Sequence, residues 1–303
     1  MKKYLMLVLK GMGMGAADVV PGVSGGTIAF ITGIYEVLIN SIKSINLDTI
    51  KLLFSEGFSA FWKAVNGNFL LSIIIGIGIS VLSLAKLLKF ILENYPELIW
   101  SFFFGLIVAS AIYVAKQIKA WNVGSIISLV AGIVVAYIIT EITPAETTNA
   151  WWFVFLSGAI AICAMILPGI SGSFILLLMG KYAYIIGAVS DLKIGILTIF
   201  LSGAVVGIIS FSNLLSWLLK KYHNQTIAVL AGFMVGSLNK VWPWKNTLET
   251  FIDRHGIVKP LIQENVLPGN YSGEPFLLMA IALAILGFIL IFVVERFAND
   301  KTK

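Results

Sequence analysis

Two short runs of this chain hold the residues best suited to chemistry. Ser24, Gly25, Gly26 and Thr27 follow Pro21 and Gly22 in one apolar stretch; Ser171, Gly172 and Ser173 follow Pro168 and Gly169 in another. Proline fixes φ and carries no backbone donor, so each Pro-Gly ends the helical run before it. Ser24 and Ser171 then stand where a hydroxyl caps the start of a new helix. A helix starting at such a turn presents unpaired N–H groups and the positive end of its dipole. The chemistry on offer is anion binding without a basic side chain. One such turn alone reads better as a tight bend between closely packed helices. Two in one chain favour a site.

Ionisable groups inside apolar segments are costly and tend to be functional. Asp18, just before Pro21, is the first candidate for carrying a proton or cation; Glu36, further along the same segment, is the second, although it can also reach headgroup water. Lys181, Lys86 and Lys89 are candidate headgroup ligands. For Lys86 and Lys89 the competing reading is snorkelling to the interface. The single cysteine, Cys163, and the two histidines, His223 and His255, leave no intrachain disulfide and no Cys/His metal cluster. No GxxxxGK[ST] loop provides for nucleotide hydrolysis. No cofactor and no metal is expected.

The elements that position these residues are duplicated. Residues 11–42 and 158–189 align without a gap, sharing Pro21/Pro168, Gly22/Gly169, Ser24/Ser171, Gly25/Gly172, Gly33/Gly180 and Tyr35/Tyr182 among others. Further matches pair Gly76 with Gly203, Tyr95 with Tyr222, Gly105 with Gly232 and Ser110 with Ser237. Paired, interrupted apolar segments in the two halves of a membrane protein point to a substrate site.

Apolar residues make up 59% of the chain and charged residues 12%, against roughly 25% charged in soluble domains. Spans are expected at 68–92, 97–116, 122–141, 193–219, 225–240 and 275–295. The hairpin arms, about 10 to 16 residues each, suit re-entrant segments, whose turns are tolerated only inside protein or beside a wet cavity. The expected fold is an all-α polytopic membrane protein made of an inverted repeat, each unit one re-entrant helical hairpin plus three transmembrane helices. The first unit is 1–141, with hairpin 11–42 and an interfacial helix at 47–65; the second is 142–303, with hairpin 158–189. An odd number of crossings per unit turns the second upside down. In 47–65, Leu47, Ile50, Phe54, Phe58, Phe61 and Val65 share a helical face suited to the membrane surface; an ordinary packed connector fits as well.

Lysines gather in segments placed inside when both termini are inside, whereas 93–97 and 141–150 hold Glu93, Glu97, Glu141 and Glu146 and no lysine. The long outer loop 241–274, with Lys245, Arg254 and Lys259, follows this bias poorly. The net charge of +6 suits inner loops and anionic lipid, not nucleic acid. Lys2 and Lys3 before an apolar run imitate a signal peptide; cleavage is not expected, because it would remove one arm of the first repeat copy. Trp151-Trp152 and Trp242-Pro243-Trp244 read as interfacial anchors. Gly76, Gly78, Gly105, Gly203, Gly207, Gly232 and Gly236 read as helix-packing positions.

Residues 17–36, ADVVPGVSGGTIAFITGIYE, together with 167–182, LPGISGSFILLLMGKY, resemble the PopT-type transporters, a bacterial family once filed as a domain of unknown function. The resemblance covers almost the whole chain. It implies transport of undecaprenyl phosphate, a polyprenyl-phosphate carrier lipid, from the outer to the inner leaflet of the bacterial cytoplasmic membrane for cell-wall synthesis. The family motif carries over onto Asp18, Pro21, Gly22, Ser24, Gly25, Gly26 and Thr27, and onto Pro168, Gly169, Ser171 and Gly172. The second copy departs from the first at Met165, Ser173 and Phe174. Spacing alone reaches only an anion transporter. Its partners would be the lipid substrate and the surrounding membrane; the oligomeric state stays open, a homodimer included. A channel or exchanger for a small soluble anion is the alternative. A lipid phosphatase would need a nucleophile with a base nearby or an Arg/His cluster, and Arg254, Arg296 and both histidines lie outside the expected spans.

Overall fold

The structure, a computed structural model, describes residues 2–19, 24–145, 147–252 and 258–299. Pro21 and Gly22 lie outside the described residues, as do the side chains of Lys86 and Lys89. The first half runs through α1 (Lys2–Val19), α2 (Gly25–Ile31), α3 (Tyr35–Lys43), α4 (Leu47–Ser55), α5 (Phe58–Ala64), α6 (Gly67–Asn94), α7 (Pro96–Lys116) and α8 (Val123–Glu141). The second runs through α9 (Trp151–Ile166), α10 (Gly172–Leu178), α11 (Tyr182–Ser190), α12 (Ile194–Lys221), α13 (His223–Gly236), a strand pair, and α14 (Leu277–Asn299). The result is a mostly helical, multi-pass membrane architecture.

The same pairing recurs in both halves. Helix α1 packs along α6 as α9 packs along α12, and the two remaining pairs cross between halves, α7 with α14 and α13 with α8. Glycines set these seams. A methyl group on Gly11 would strike the Ile73 carbonyl and one on Gly158 the Phe200 carbonyl; Gly105 and Gly232 are seated likewise against Ala284 and Leu129. Backbones that approach this closely gain dispersion contact where no hydrophobic force drives association. Gly78 is different: open space surrounds it, so it is not a packing position.

Several expectations need correction. Among the described residues, four helices are long and apolar enough to cross a bilayer, within Gly67–Leu84, Pro96–Lys116, Val123–Glu141 and Ile194–Lys221, and up to six if each bent hairpin arm counts as one. The span expected at 225–240 stops at Gly236, where the chain tightens into a 3-10 turn at Ser237–Asn239. Its 14 residues rise about 21 Å, short of a hydrocarbon core of roughly 30 Å. The chain is also not all-α. Within the loop 241–274, β1 (Lys245–Ile252) and β2 (Val258–Asn265) pair antiparallel, where Thr, Phe, Ile and Val favour strand over helix. Trp242 and Trp244 donate to the carbonyls of Val266 and Pro275 at 2.8 and 2.9 Å. They tie the ends of this loop together, and the Trp242 ring packs edge-on against Phe104 of α7.

The second arm of each hairpin is itself broken. Helices α2 and α3 meet at 117°, and α10 and α11 at 111°. The hinges are Gly33 and Gly180, with φ of +69° and +63°, a region glycine enters without steric cost. The single helix expected over 47–65 is likewise divided at Gly57, φ +85°. Its Leu47, Phe54 and Phe58 remain exposed, as an interfacial face requires.

Candidate functional site

The start of α2, after the first Pro-Gly, touches the second Pro-Gly turn. At the first, the Ser24 hydroxyl caps α2 by accepting from the Gly26 amide at 3.1 Å, and donates to the Met165 carbonyl in the last turn of α9 at 2.9 Å. Tyr35 donates to the next carbonyl, Ile166, at 3.2 Å. In the other direction the Gly169 amide donates to the Thr27 hydroxyl at 3.3 Å. Hydroxyls from the first half thus satisfy the carbonyl end of a helix from the second, a group that would otherwise be orphaned. Ser24 and Thr27 are fully buried. Gly26 makes the approach possible, because a Cβ there would collide with the Ile166 carbonyl.

Asp18 joins this cluster. Its carboxylate accepts from the Gly25 amide at 2.7 Å, a charge-assisted bond at the positive end of α2. The Thr27 amide donates to the Ser24 carbonyl at 3.0 Å. The amides of Gly25, Gly26 and Thr27 therefore all have partners within the chain, which corrects the expectation of unpaired donors at this turn.

The second turn is built from the same motif but ends differently. Ser171 sits at the cap position of α10, yet its hydroxyl makes no capping bond. It lies 2.8 Å from the Ser173 hydroxyl instead. Met165 stands in sequence where the first copy has Asp18, and also in space: a Cβ on Gly172 would meet its Cγ and Sδ, as a Cβ on Gly25 would meet the Asp18 carboxylate. Gly169, at φ +86°, makes the turn. Gly169, Ile170 and Ser171 line a small pocket with Thr140, Ser237 and Lys240, a space of about 10 Å³, room for about one water. Of the candidate residues, Asp18, Ser24, Gly25, Gly26, Thr27, Gly169, Ser171, Gly172 and Ser173 thus come together around two adjoining turns, and Pro168 leads into the second.

The remaining charged candidates sit elsewhere. Glu36 opens α3, beyond both α2 and the bend, where its carboxylate is exposed and 4.0 Å from His223 Nδ1. Lys181 is fully buried at the far end of α10, about 10 Å along the axis from Ser171. Its ammonium donates to the Thr147 carbonyl at 3.0 Å and to Asn149 Oδ1 at 2.7 Å. It ties the second hinge to the loop before α9. Lys10 on α1 donates to the Thr32 carbonyl at 2.6 Å, at the carbonyl end of α2, where a cation is favoured. Sequence reasoning passed over Lys240, whose one signal was its place at the end of an apolar run.

Comparison with known proteins agrees with this arrangement's lineage. Residues 14–259 match a family model described as undecaprenyl phosphate translocase-like. The chain is 46% identical over 300 residues to a polyprenyl-phosphate transporter of Vibrio cholerae, covering 98% of this chain and 97% of that one. It is 35% identical over 254 residues to a polyprenyl-phosphate transporter of Staphylococcus aureus, covering 78% of this chain and 85% of the relative. No solved structure matches.

Proposed function

The chain belongs to the undecaprenyl phosphate translocase-like family, and we propose that it is a flippase returning undecaprenyl phosphate from the outer to the inner leaflet of the bacterial cytoplasmic membrane. The observation that carries this reading is the contact between two helix-start turns from opposite halves of the chain, one holding a carboxylate and the other opening onto a pocket. In this account the halves are inverted repeats, the hairpins re-enter the membrane, and both chain termini are cytoplasmic. The phosphate crosses between the turns while its polyprenyl tail stays in lipid. The protein then shields only the headgroup, the part whose bare passage through hydrocarbon is slow.

Asp18 gives the passage a proton-linked step. Its carboxylate occupies the Gly25 amide, the position a phosphate oxygen would take at the start of α2. Protonation removes the charge from that bond, and the amide becomes available to the substrate. Release of the proton towards the inside restores the carboxylate and expels the phosphate. Coupling has an energetic motive, since carrying one negative charge inward against an inside-negative potential costs about 2.3 kcal/mol per 100 mV. Glu36, exposed beside His223, is the second candidate for this role.

Uptake of labelled undecaprenyl phosphate into proteoliposomes tests the proposal. The wild-type protein transports, and the Ser24→Ala/Ser171→Ala double variant transports markedly less. An inert wild-type protein overturns the function. Full activity of the double variant overturns the role of the two hydroxyls.

A further inference from the structure

The end of the bundle that carries the strand pair holds a cleft of about 510 Å³, within the usual range for small-molecule sites. It lies between the end of α8, the middle of α10, the 3-10 turn after α13, and the facing edge of β1 and β2. Thr140, Phe174 and Lys240 line both this cleft and the small pocket at Gly169 and Ser171. The cleft therefore leads to the second turn.

Its two walls differ in chemistry. One holds two half-buried lysines. Lys240 rests its ammonium 4.4 Å from the centre of the Phe174 ring and makes no hydrogen bond among the described residues. Lys245 donates to the Lys240 carbonyl and lies over the Trp100 ring. The acids nearby are Glu141 and Glu264. Glu141 is engaged by the Asn239 amide at 2.6 Å, and Glu264 is exposed on β2. The other wall is apolar, with Leu177, Leu178 and Tyr137. Tyr137 continues into the exposed Val134 and Ile138 on α8, a helix with most of its surface unburied. A pocket with two lysines beside an exposed apolar helix face matches an amphiphile with an anionic head.

We infer that this cleft receives the phosphate head of a prenyl phosphate before it reaches the turns, with Lys240 and Lys245 as its cationic contacts and the tail lying along α8. This rests on the lipid-phosphate reading above. A phosphate group is the shared chemistry; a lipid headgroup and free phosphate are its two sources, and the α8 face favours the lipid.

Binding to the full-length protein in detergent separates the outcomes, with farnesyl phosphate, inorganic phosphate and farnesol as probes. We expect Lys240→Gln to weaken farnesyl phosphate about tenfold, the loss of one charged hydrogen bond, and Lys245→Gln to add to it. Lys240→Arg should retain most of the affinity. Unfolding temperatures of the variants show that the fold is intact. Unchanged affinity in the double Gln variant, with the wild type binding, overturns the cleft and leaves the flippase reading standing. A wild type that binds no farnesyl phosphate overturns both. Equal binding of inorganic and farnesyl phosphate, both lost in Lys240→Gln, overturns the lipid assignment. Transport lost in Ser24→Ala/Ser171→Ala with farnesyl phosphate binding retained supports two separate stations.

Discussion

The two helix-start turns share a motif and have opposite finishes. The first is closed: Asp18 takes the Gly25 amide, Ser24 takes the Gly26 amide, and Ser24 and Tyr35 seal it onto the end of α9. The second is open: Ser171 leaves α10 without a side-chain cap, Met165 brings no charge, and the turn borders a pocket with Lys240. Under the proposed transport reading, duplication supplies two like anion sites, and divergence at a few positions makes one a switch and the other a receiver. A symmetric pair would hold an anion equally from either side and would give no direction to its release.

The contrast can be broken most severely at Asp18. In Asp18→Asn the amide oxygen still accepts from Gly25, so the turn stays closed, but no proton can open it. Acceleration of uptake by an imposed proton gradient should disappear, measured in proteoliposomes with and without the gradient. Retained acceleration would assign the coupling elsewhere, Glu36 first.

Next in size is Gly26→Ala. Its Cβ would meet the Ile166 carbonyl, which is backbone and cannot swing aside, and overpacking of this kind costs about 1–3 kcal/mol. The equivalent position of the second turn is Ser173, so Ser173→Gly should leave the unfolding temperature almost unchanged. Ser24→Ala should remove about 1 kcal/mol as a lost helix cap, seen in the same measurement. Ser171→Ala should cost far less stability, because no cap is lost, and should show itself in the transport rate instead.

The smallest effect sharpens the receiving end. Burial, with the Lys240 charge beside it, holds the Lys245 ammonium down to about 7. A lysine lowered in this way is charged below that value and neutral above it. Lys240, Glu141 and Glu264 face the same cleft. Farnesyl phosphate binding should therefore weaken as pH rises through about 7, and Lys245→Gln should flatten the profile.

Much of this site was legible in the sequence, because the breaker residues repeat. Ser24, Thr27, Gly169 and Ser171 follow from one duplicated motif, and so does the likeness to polyprenyl-phosphate transporters. The partner of Asp18 was not legible. That pairing needs the turn to fold the end of α1 back onto the start of α2, a tertiary fact. The bends at Gly33 and Gly180 left a signal, since both glycines are shared by the two copies, but Pro-Gly overshadowed them as breakers. The strand pair and Lys245 lay in a loop whose lysines fit the inside-positive pattern badly. That misfit marked a folded surface, and Lys240 stood just before it.

Locating the phosphate is the most direct test of the two-turn account. Electron cryomicroscopy of the protein with a bound polyprenyl phosphate, in a membrane mimic at acidic pH, should place the phosphate within hydrogen-bonding distance of Ser171 or Ser173, with Asp18 drawn off the Gly25 amide. A phosphate seated at the Glu36–His223 end, with the Asp18–Gly25 and Thr27–Gly169 bonds intact, would contradict it.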